Sequence, residues 1–451
     1  MNNRRTWPAL SQAPDAGQAR GALLVLVLTL CLTATGGCQR RPDPLQEAFD
    51  AIGGKDALLE LRGFSYESSG ERFEPGQGLT PADDRIKASS FTLSLLSDVE
   101  NDRLSFDWQR QIFDPLRGEV AYRDVLDGKV GYQTGNDFAF NPPGATSDRA
   151  LVSERNAARR REFRLLNPQL YLRTVATDES AAPTIKADVD LDGRTYHVIE
   201  VFDEVQPVEL FLDAVSGRVS KLRTLQNDHL FGDVLTEVTY SDWSASEGSR
   251  LMFPRQVELS VGGKMLRTAT RTNVVVNPDF PAEVFALPDE PRTEVDQAAA
   301  KRGGVSSQYH TRWHALGLPL DQDQTSVAVT AVAGDPDVQF LFGGTHNSLA
   351  IKLGEGIVVM EPPLNEARSN AVLNKLDELW PGVPVSHLIL THYHFDHMGG
   401  IRTYAAAGAT IVTSELNSSY VEEVLTSSHT LVRDELAEVA SPAWDIEKVP
   451  A

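Results

Sequence analysis

The sequence predicts a multidomain chain, an antiparallel β-rich (α+β) domain followed by a layered α/β domain. Three observations carry this. Between about residues 90 and 277, short runs alternate apolar and polar residues and are separated by Asp-Gly or Gly-Gly pairs. From 338 onward, apolar strand-like runs are interleaved with a stretch of helical periodicity. A length of 451 residues, 41% of them hydrophobic, is enough for two or three cores. The 63 acidic residues outnumber 42 basic ones, a net charge of −21 that repels polyanions and excludes nucleic acid as a partner.

The N-terminus reads as an export signal. Arg4, Arg5 and Arg20 precede the apolar stretch GALLVLVLTLCLTATGG at 21–37, and Cys38 follows. The stretch is shorter than the roughly 20 apolar residues that span a bilayer and ends in small residues, so 1–37 is taken as a signal peptide. Cys31 lies inside it, leaving Cys38 as the single cysteine of the mature chain, with no internal disulfide and no cysteine metal site. ATGGC at 34–38 resembles the lipobox of bacterial lipoproteins, with Thr35 where leucine is usual. That resemblance implies lipidation of Cys38 and a membrane anchor. Gln39 in place of a retention aspartate implies the outer membrane, facing the periplasm. Ordinary cleavage with a free Cys38 is the alternative.

The domain expected over 38–287 begins with helix at 43–62, interrupted at Gly53-Gly54. TLSLL at 92–96 and RLSFDW at 103–108 alternate as half-buried strands do. Asp127-Gly128, Asp192-Gly193 and Gly262-Gly263 each separate two such runs and read as hairpin turns, because those turns need positive φ. A helix is expected over 149–165, its basic run ERNAARRREFR at 154–164 read as a solvated face. VELFLDAVSGRVSKLRTL at 208–225 reads as a strand. In YSDWSASEGSRLMFPRQVEL at 240–259, a strand ends in an acidic-aromatic turn before Gly248 and Pro254 lead into the next. This order of elements resembles the curved half-barrel of periplasmic lipoprotein-carrier proteins. It implies a half-barrel-like domain able to hold a lipid on its concave face; a sheet that only packs is the alternative.

Residues 288–334 mix proline, glycine and charge with little periodicity and are expected to be a linker. Tyr309, His310, Trp313 and His314 within it read as a short docking helix. In the last domain, 335–451, VQFLFGG at 338–344 and SLAIKLG at 348–354 read as paired strands and IVVMEPP at 357–363 as a third. A helix over 365–380 places Ala367, Val372, Leu376, Leu379 and Trp380 on one side, with Asn365 as N-cap and Pro381-Gly382 as the stop. SHLILTH at 386–392 is a buried strand leading into THYHFDHMGG at 391–400, and ATIVTS at 409–414 is another strand.

The cluster His392-x-His394-x-Asp396-His397 holds three of the chain's 10 histidines. Residues two apart in an extended segment point the same way, so His392 and His394 can converge on one cation, and a turn brings Asp396 and His397 beside them. Gly399 and Gly400 ease the turn into the next helix. Imidazole and carboxylate suit zinc well, and iron or manganese less specifically. HYHFDH after a hydrophobic strand, in this order of elements, resembles the metallo-β-lactamase superfamily, as do 343–363 and 400–415. The resemblance implies an αββα sandwich with one or two metals. His392 and His394 would bind the first, Asp396 and His397 the second, and Asp396 would also orient the attacking water. The implied activity is metal-dependent hydrolysis of a small-molecule ester, lactone, lactam or related bond. Glu361, where many members have aspartate, is read as supporting the metal loop or as a plain strand-end carboxylate. His346, in a strand-connecting loop, is read as able to approach the site or as an ordinary loop histidine.

The resemblance spans 337–451, which amounts to the first half of such a sandwich. The other half would supply a further histidine for the first metal, a bridging carboxylate and a last histidine. His429 falls too soon after the motif for the third ligand, and Asp434 and Asp445 have no ligand context. The chain is therefore expected to be a truncated, inactive form of such a hydrolase, or one completed by a partner. Half a sandwich would expose one apolar face of its sheet. A periplasmic lipid- or lipoprotein-binding module with a non-catalytic C-terminal remnant is the alternative function.

Overall fold

Fourteen antiparallel strands build the first sheet, and its strand order explains its shape. In the computed structural model, which describes residues 43–81, 86–114, 117–138, 146–203, 205–288, 295–311 and 321–450, a meander runs outward from β1 (Gly63–Phe73) through β2 (Lys87–Asp98), β3 (Arg103–Ile112), β4 (Gly118–Asp127) and β5 (Val130–Asn136) to β6 (Arg149–Ala150). After two helices the chain enters the opposite edge through β7 (Thr184–Ile185), β8 (Val189–Leu191) and β9 (Arg194–Phe202). It then returns through β10 (Pro207–Asp213), β11 (Val219–Asp228), β12 (Gly232–Ala245) and β13 (Met252–Val261) to β14 (Lys264–Val276). β14 pairs with β1, so the two meanders are joined in the middle. All three expected turn dipeptides fall between paired strands.

The sheet is curved, and its helix requires it to be. The helix α3 (Ser153–Leu166) follows two short ones, α1 (Pro44–Ala51) and α2 (Lys55–Leu59), and precedes α4 (Gln169–Thr177). Arg155 of α3 bonds Asp137 just beyond β5, and Arg161 bonds Thr224 of β11. Those strands lie eight positions apart, which in a flat sheet is roughly 38 Å. Six helical residues advance only about 9 Å. Both contacts form because the sheet wraps the helix, a half-barrel.

The basic run of α3 is not solvated, contrary to expectation. Arg155, Arg159, Arg161 and Glu162 are all buried inside the half-barrel. Buried carboxylates from distant segments make this tolerable: Asp137 and Asp321 take Arg155, Asp124 and Glu162 lie against Arg159, and Asp203 lies against Arg161. The aromatic side of α3 packs Phe163 against Phe64 and Phe106. The concave face is thus filled by a helix and a charged interior as well as by an apolar core.

Three further expectations are corrected. The segment 208–225 is two strands, because Asp213 accepts from the amides of Val215 and Ser216 and Gly217 adopts φ 68, closing a tight turn. The Asp242-Trp243 pair lies within β12, where Asp242 at φ 53 interrupts the ladder, and the turn comes later, at 246–251. The presumed linker contains α5 (Gln297–Val305), α6 (Gln308–Thr311) and the strand β15 (Ala328–Ala331). α5 packs so closely on α3 that a Cβ at Gly303 would collide with the Glu154 backbone. His310 of α6 is buried, with its ring against Gln226 and its carbonyl accepting from Arg72. Residues 1–42, Trp313 and His314 lie outside the described residues, as does the Tyr309 side chain.

The second sheet has seven strands in chain order: β15, β16 (Val338–Phe342), β17 (Ser348–Leu353), β18 (Gly356–Met360), β19 (Val385–Ile389), β20 (Thr410–Ser414) and β21 (Ile446–Val449). Pairing is antiparallel up to β18 and parallel from there on, because helices connect the later strands. These are α7 (Glu366–Leu379), α8 (Phe395–Met398), α9 (Ile401–Ala406), α10 (Ser418–Thr426) and α11 (Glu435–Glu438). Asn365 caps α7 as expected, but Ala367 is exposed and the inner face is Arg368, Ser369, Val372 and Leu376. Helices cover Leu341, Ala350, Val359, Leu388 and Ile411. The opposite face is apolar and partly open, with Phe340 and Phe342 stacked and 37% and 39% exposed.

Asp43–Ala451 forms one compact unit containing both sheets. The β11–β12 hairpin tip joins them: Leu230 enters the second core, Phe231 packs edge-on to Tyr420, and Asp233 accepts from the Thr430 and Leu431 amides. Among the described residues, no helix is long and apolar enough to cross a membrane.

Candidate metal centre

The histidine cluster sits where the parallel strands β18 and β19 end, the edge at which layered α/β sheets place their ligands. Glu361 follows β18 and donates its amide to Ile389 of β19, locking the two strand ends together. Its backbone is left-handed, at φ 70. Thr391 and His392 follow β19, His394 precedes α8, and Asp396 and His397 lie in its first turn.

Gly399 and Gly400 matter here for a different reason than expected. Neither has positive φ. Instead, a Cβ at Gly399 would strike the Leu364 carbonyl, and one at Gly400 the Ser369 hydroxyl. The glycines let the metal loop approach the start of α7. Gly343, at φ 128, lets the His346 loop pass Ser326. The buried Arg368 ties that loop to the preceding segment by donating to the His346 carbonyl at 3.4 Å and to the carbonyls of Gln324 and Ser326 at 3.1 and 2.8 Å.

The donor atoms form two groups that share His397: His346, Asp396 and His397, and Glu361, His392 and His397, each within 4.8 Å. His346 Nε2 lies 3.1 Å from Asp396 Oδ2, so this loop histidine belongs to the cluster. Glu361 accepts from His397 Nδ1, from the Thr391 hydroxyl, and from the Thr391 amide at 3.2 Å. His392 and His394, expected to face one cation, lie side by side. Their rings are 4.6 Å apart, yet His392 lies closer to His397, at 4.1 Å, and His394 points Nε2 to the Gly78 carbonyl at 2.8 Å. His429 belongs to neither donor group; it is buried beside Asp434, which accepts from Arg402.

Electrostatics favour a cation. Burial alone would raise Asp396, but the hydrogen bond from His346 and the nearby charges of His346 and His397 hold it well below the usual carboxylate range. Burial would likewise raise Glu361, and its bonds with His397 and Thr391 bring it down. His392 is lowered by burial and by the neighbouring His397 and His394 rings, so it is neutral and able to donate a lone pair. His397 is raised, since Glu361 and Asp396 outweigh its burial. A neutral His392 beside the ionised Asp396 and Glu361, with further imidazoles at this spacing, fits a divalent cation, zinc by donor type.

Sequence reasoning missed the β1–β2 loop. Gln77 Nε2 lies 3.4 Å from Asp396 Oδ1, and the Tyr393 hydroxyl lies 2.6 Å from the Gly78 carbonyl and 2.9 Å from that of Thr80. The stretch FEPGQGLTP signals a turn, but nothing in it points to a partner more than 300 positions away.

Residues 341–418 match the family model of the metallo-β-lactamase superfamily. The class that fold and site define is therefore a two-part chain with a superfamily segment in its second sheet. Among solved structures, the chain is similar to a LolA superfamily protein from Nitrosomonas europaea, with 14% identity, 53% of this chain and 98% of that chain covered, and a TM-score of 0.31. No curated protein matches the chain.

Proposed function

We propose that this chain carries the site of an exported, metal-dependent hydrolase acting on a small-molecule ester, lactone, lactam or related bond. The observation that supports this most is the convergence of His346, His392, His397, Asp396 and Glu361 at the ends of β18 and β19 within the superfamily segment. Zinc, when bound, supplies Lewis-acid polarisation of the scissile group and makes water acidic enough to attack near neutral pH. The chain's own residues prepare the rest. A carboxylate can only accept, so His397 donates Nδ1–H to Glu361 and turns its Nε2 lone pair inward. Glu361, with its oxygens engaged by His397 and Thr391, acts as an orienting group more than as a ligand. Asp396, held ionised, is a weak base; it aligns a water by accepting a hydrogen bond at its carboxylate oxygen. The N-terminal signal and Cys38 supply export and a lipid anchor in this reading.

The test is metal content. The full chain, equilibrated with zinc and dialysed, is expected to retain about one to two equivalents by mass spectrometry, and His397→Ala to lose most of it, because His397 belongs to both donor groups. Wild-type protein that retains no zinc, iron or manganese would overturn the reading.

A further inference from the structure

We propose that the β1–β2 loop of the half-barrel is a working part of the metal site: the Gly78 carbonyl fixes His394 as the Nε2–H tautomer and reserves Nδ1 for the cation. This rests on the metal-site reading above and adds His394, which stands outside the two donor groups, as a further ligand. A carbonyl oxygen has no proton to give, so at 2.8 Å it is His394 Nε2 that donates. A neutral imidazole carries one N–H, which leaves the His394 lone pair on Nδ1. Metal-binding histidines characteristically donate their other ring N–H to a carbonyl or carboxylate, which sets both tautomer and ring angle. The neighbouring His397 obeys the same logic with Glu361 as acceptor.

The loop is held for this purpose. Tyr393, adjacent to His394, is buried, and its hydroxyl sits between the carbonyls of Gly78 and Thr80. Its ring packs edge-on against both His394 and Tyr420. Gln77 reaches Asp396 from the same loop. Three loop residues, Gln77, Gly78 and Thr80, thus reach Asp396, His394 and Tyr393, and the first sheet positions a histidine of the second. A neutral acceptor at Gly78 orients the ring without adding charge, whereas Glu361 adds a charge at His397. Tyr393 and Gly78 are positioning residues, since they act through His394.

The experiment uses the full chain labelled with 15N-histidine, with zinc as the probe. Two-bond 1H–15N spectra are expected to show His394 as the Nε2–H tautomer without metal, and zinc is expected to shift its Nδ1. Tyr393→Phe, which removes one oxygen and keeps the ring, should weaken zinc binding by about 10- to 100-fold in a chelator competition, with far-UV circular dichroism unchanged. If zinc binds the wild type but shifts Nε2 of His394, or if Tyr393→Phe binds zinc as the wild type does, the proposal fails while the metal-site reading stands. If the wild type binds no zinc, both fall.

Discussion

Replacing Arg155 with methionine should unfold the half-barrel from within. Arg155 is fully buried and donates to Asp321 Oδ2 at 2.7 Å and Asp137 Oδ2 at 2.8 Å. Its charge also bears on the buried Asp124. Without it, Arg149 alone faces Asp137 and Asp321, at 3.1 and 2.7 Å. Removing one partner from a buried ion pair costs about 3–5 kcal/mol, because the remaining charge is stranded in a poor solvent. That corresponds to about 100- to 4,000-fold in the folding equilibrium. At a urea dependence of about 3 kcal/mol/M, the midpoint should fall by about 1–1.7 M. Urea titrations at pH 7, followed by tryptophan fluorescence and circular dichroism, measure it; buried Trp108, with the Arg159 and Arg267 guanidinium groups over its ring, reports this interior. Burial would raise Asp137, but Arg155 and Arg149 hold it well below the usual carboxylate range. A depressed carboxylate stabilises above its unfolded value, near 3.9, and that contribution is lost as pH falls through the folded value. Arg155→Met should therefore also move acid unfolding to higher pH. A midpoint shift under about 0.3 M would refute the reasoning. So would a triple variant with Asp137→Asn and Asp321→Asn that is no more stable than Arg155→Met alone.

Asp434→Asn should cost about 1.5–3 kcal/mol, because the buried Arg402 loses its carboxylate but keeps the Val424 and Leu425 carbonyls. Burial would raise Asp434, yet Arg402 depresses it, so the difference from wild type should be full at pH 7 and shrink below about pH 4 in thermal melts. Gly303→Ala should push α5 off the Glu154 backbone at about 1–3 kcal/mol, and limited proteolysis should then cut within 295–311 faster than in wild type.

What was legible in the sequence was local. Asn365 announces α7 because a capping side chain acts on amides three residues away. Asp192-Gly193 announces a hairpin because its turn demands positive φ at both residues. The turn at 213–217 carried an equally local signal in Asp213 and Gly217, but not as an adjacent pair. Long-range pairing was not legible. A run of arginines reads as solvated until Asp137 and Asp203 are brought to it by the curvature of a sheet and Asp321 by the segment before β15. The same holds at the site. The residue types at 392–397 pointed to metal chemistry, but which histidine faces which partner depended on a loop from the other end of the chain.

Glu361 makes a bargain visible at the end of β18. A non-glycine residue at φ 70 carries a strain of about 1–2 kcal/mol that glycine would not. Glycine there would relax the turn and keep the amide bond to Ile389, but it would leave His397 without its acceptor and Thr391 without its anchor. The wild-type chain thus carries backbone strain at this position while its side chain holds the metal loop through three bonds. Glu361→Gly should therefore lose zinc retention and gain no thermal stability, since the bonds to His397 and Thr391 outweigh the strain relieved.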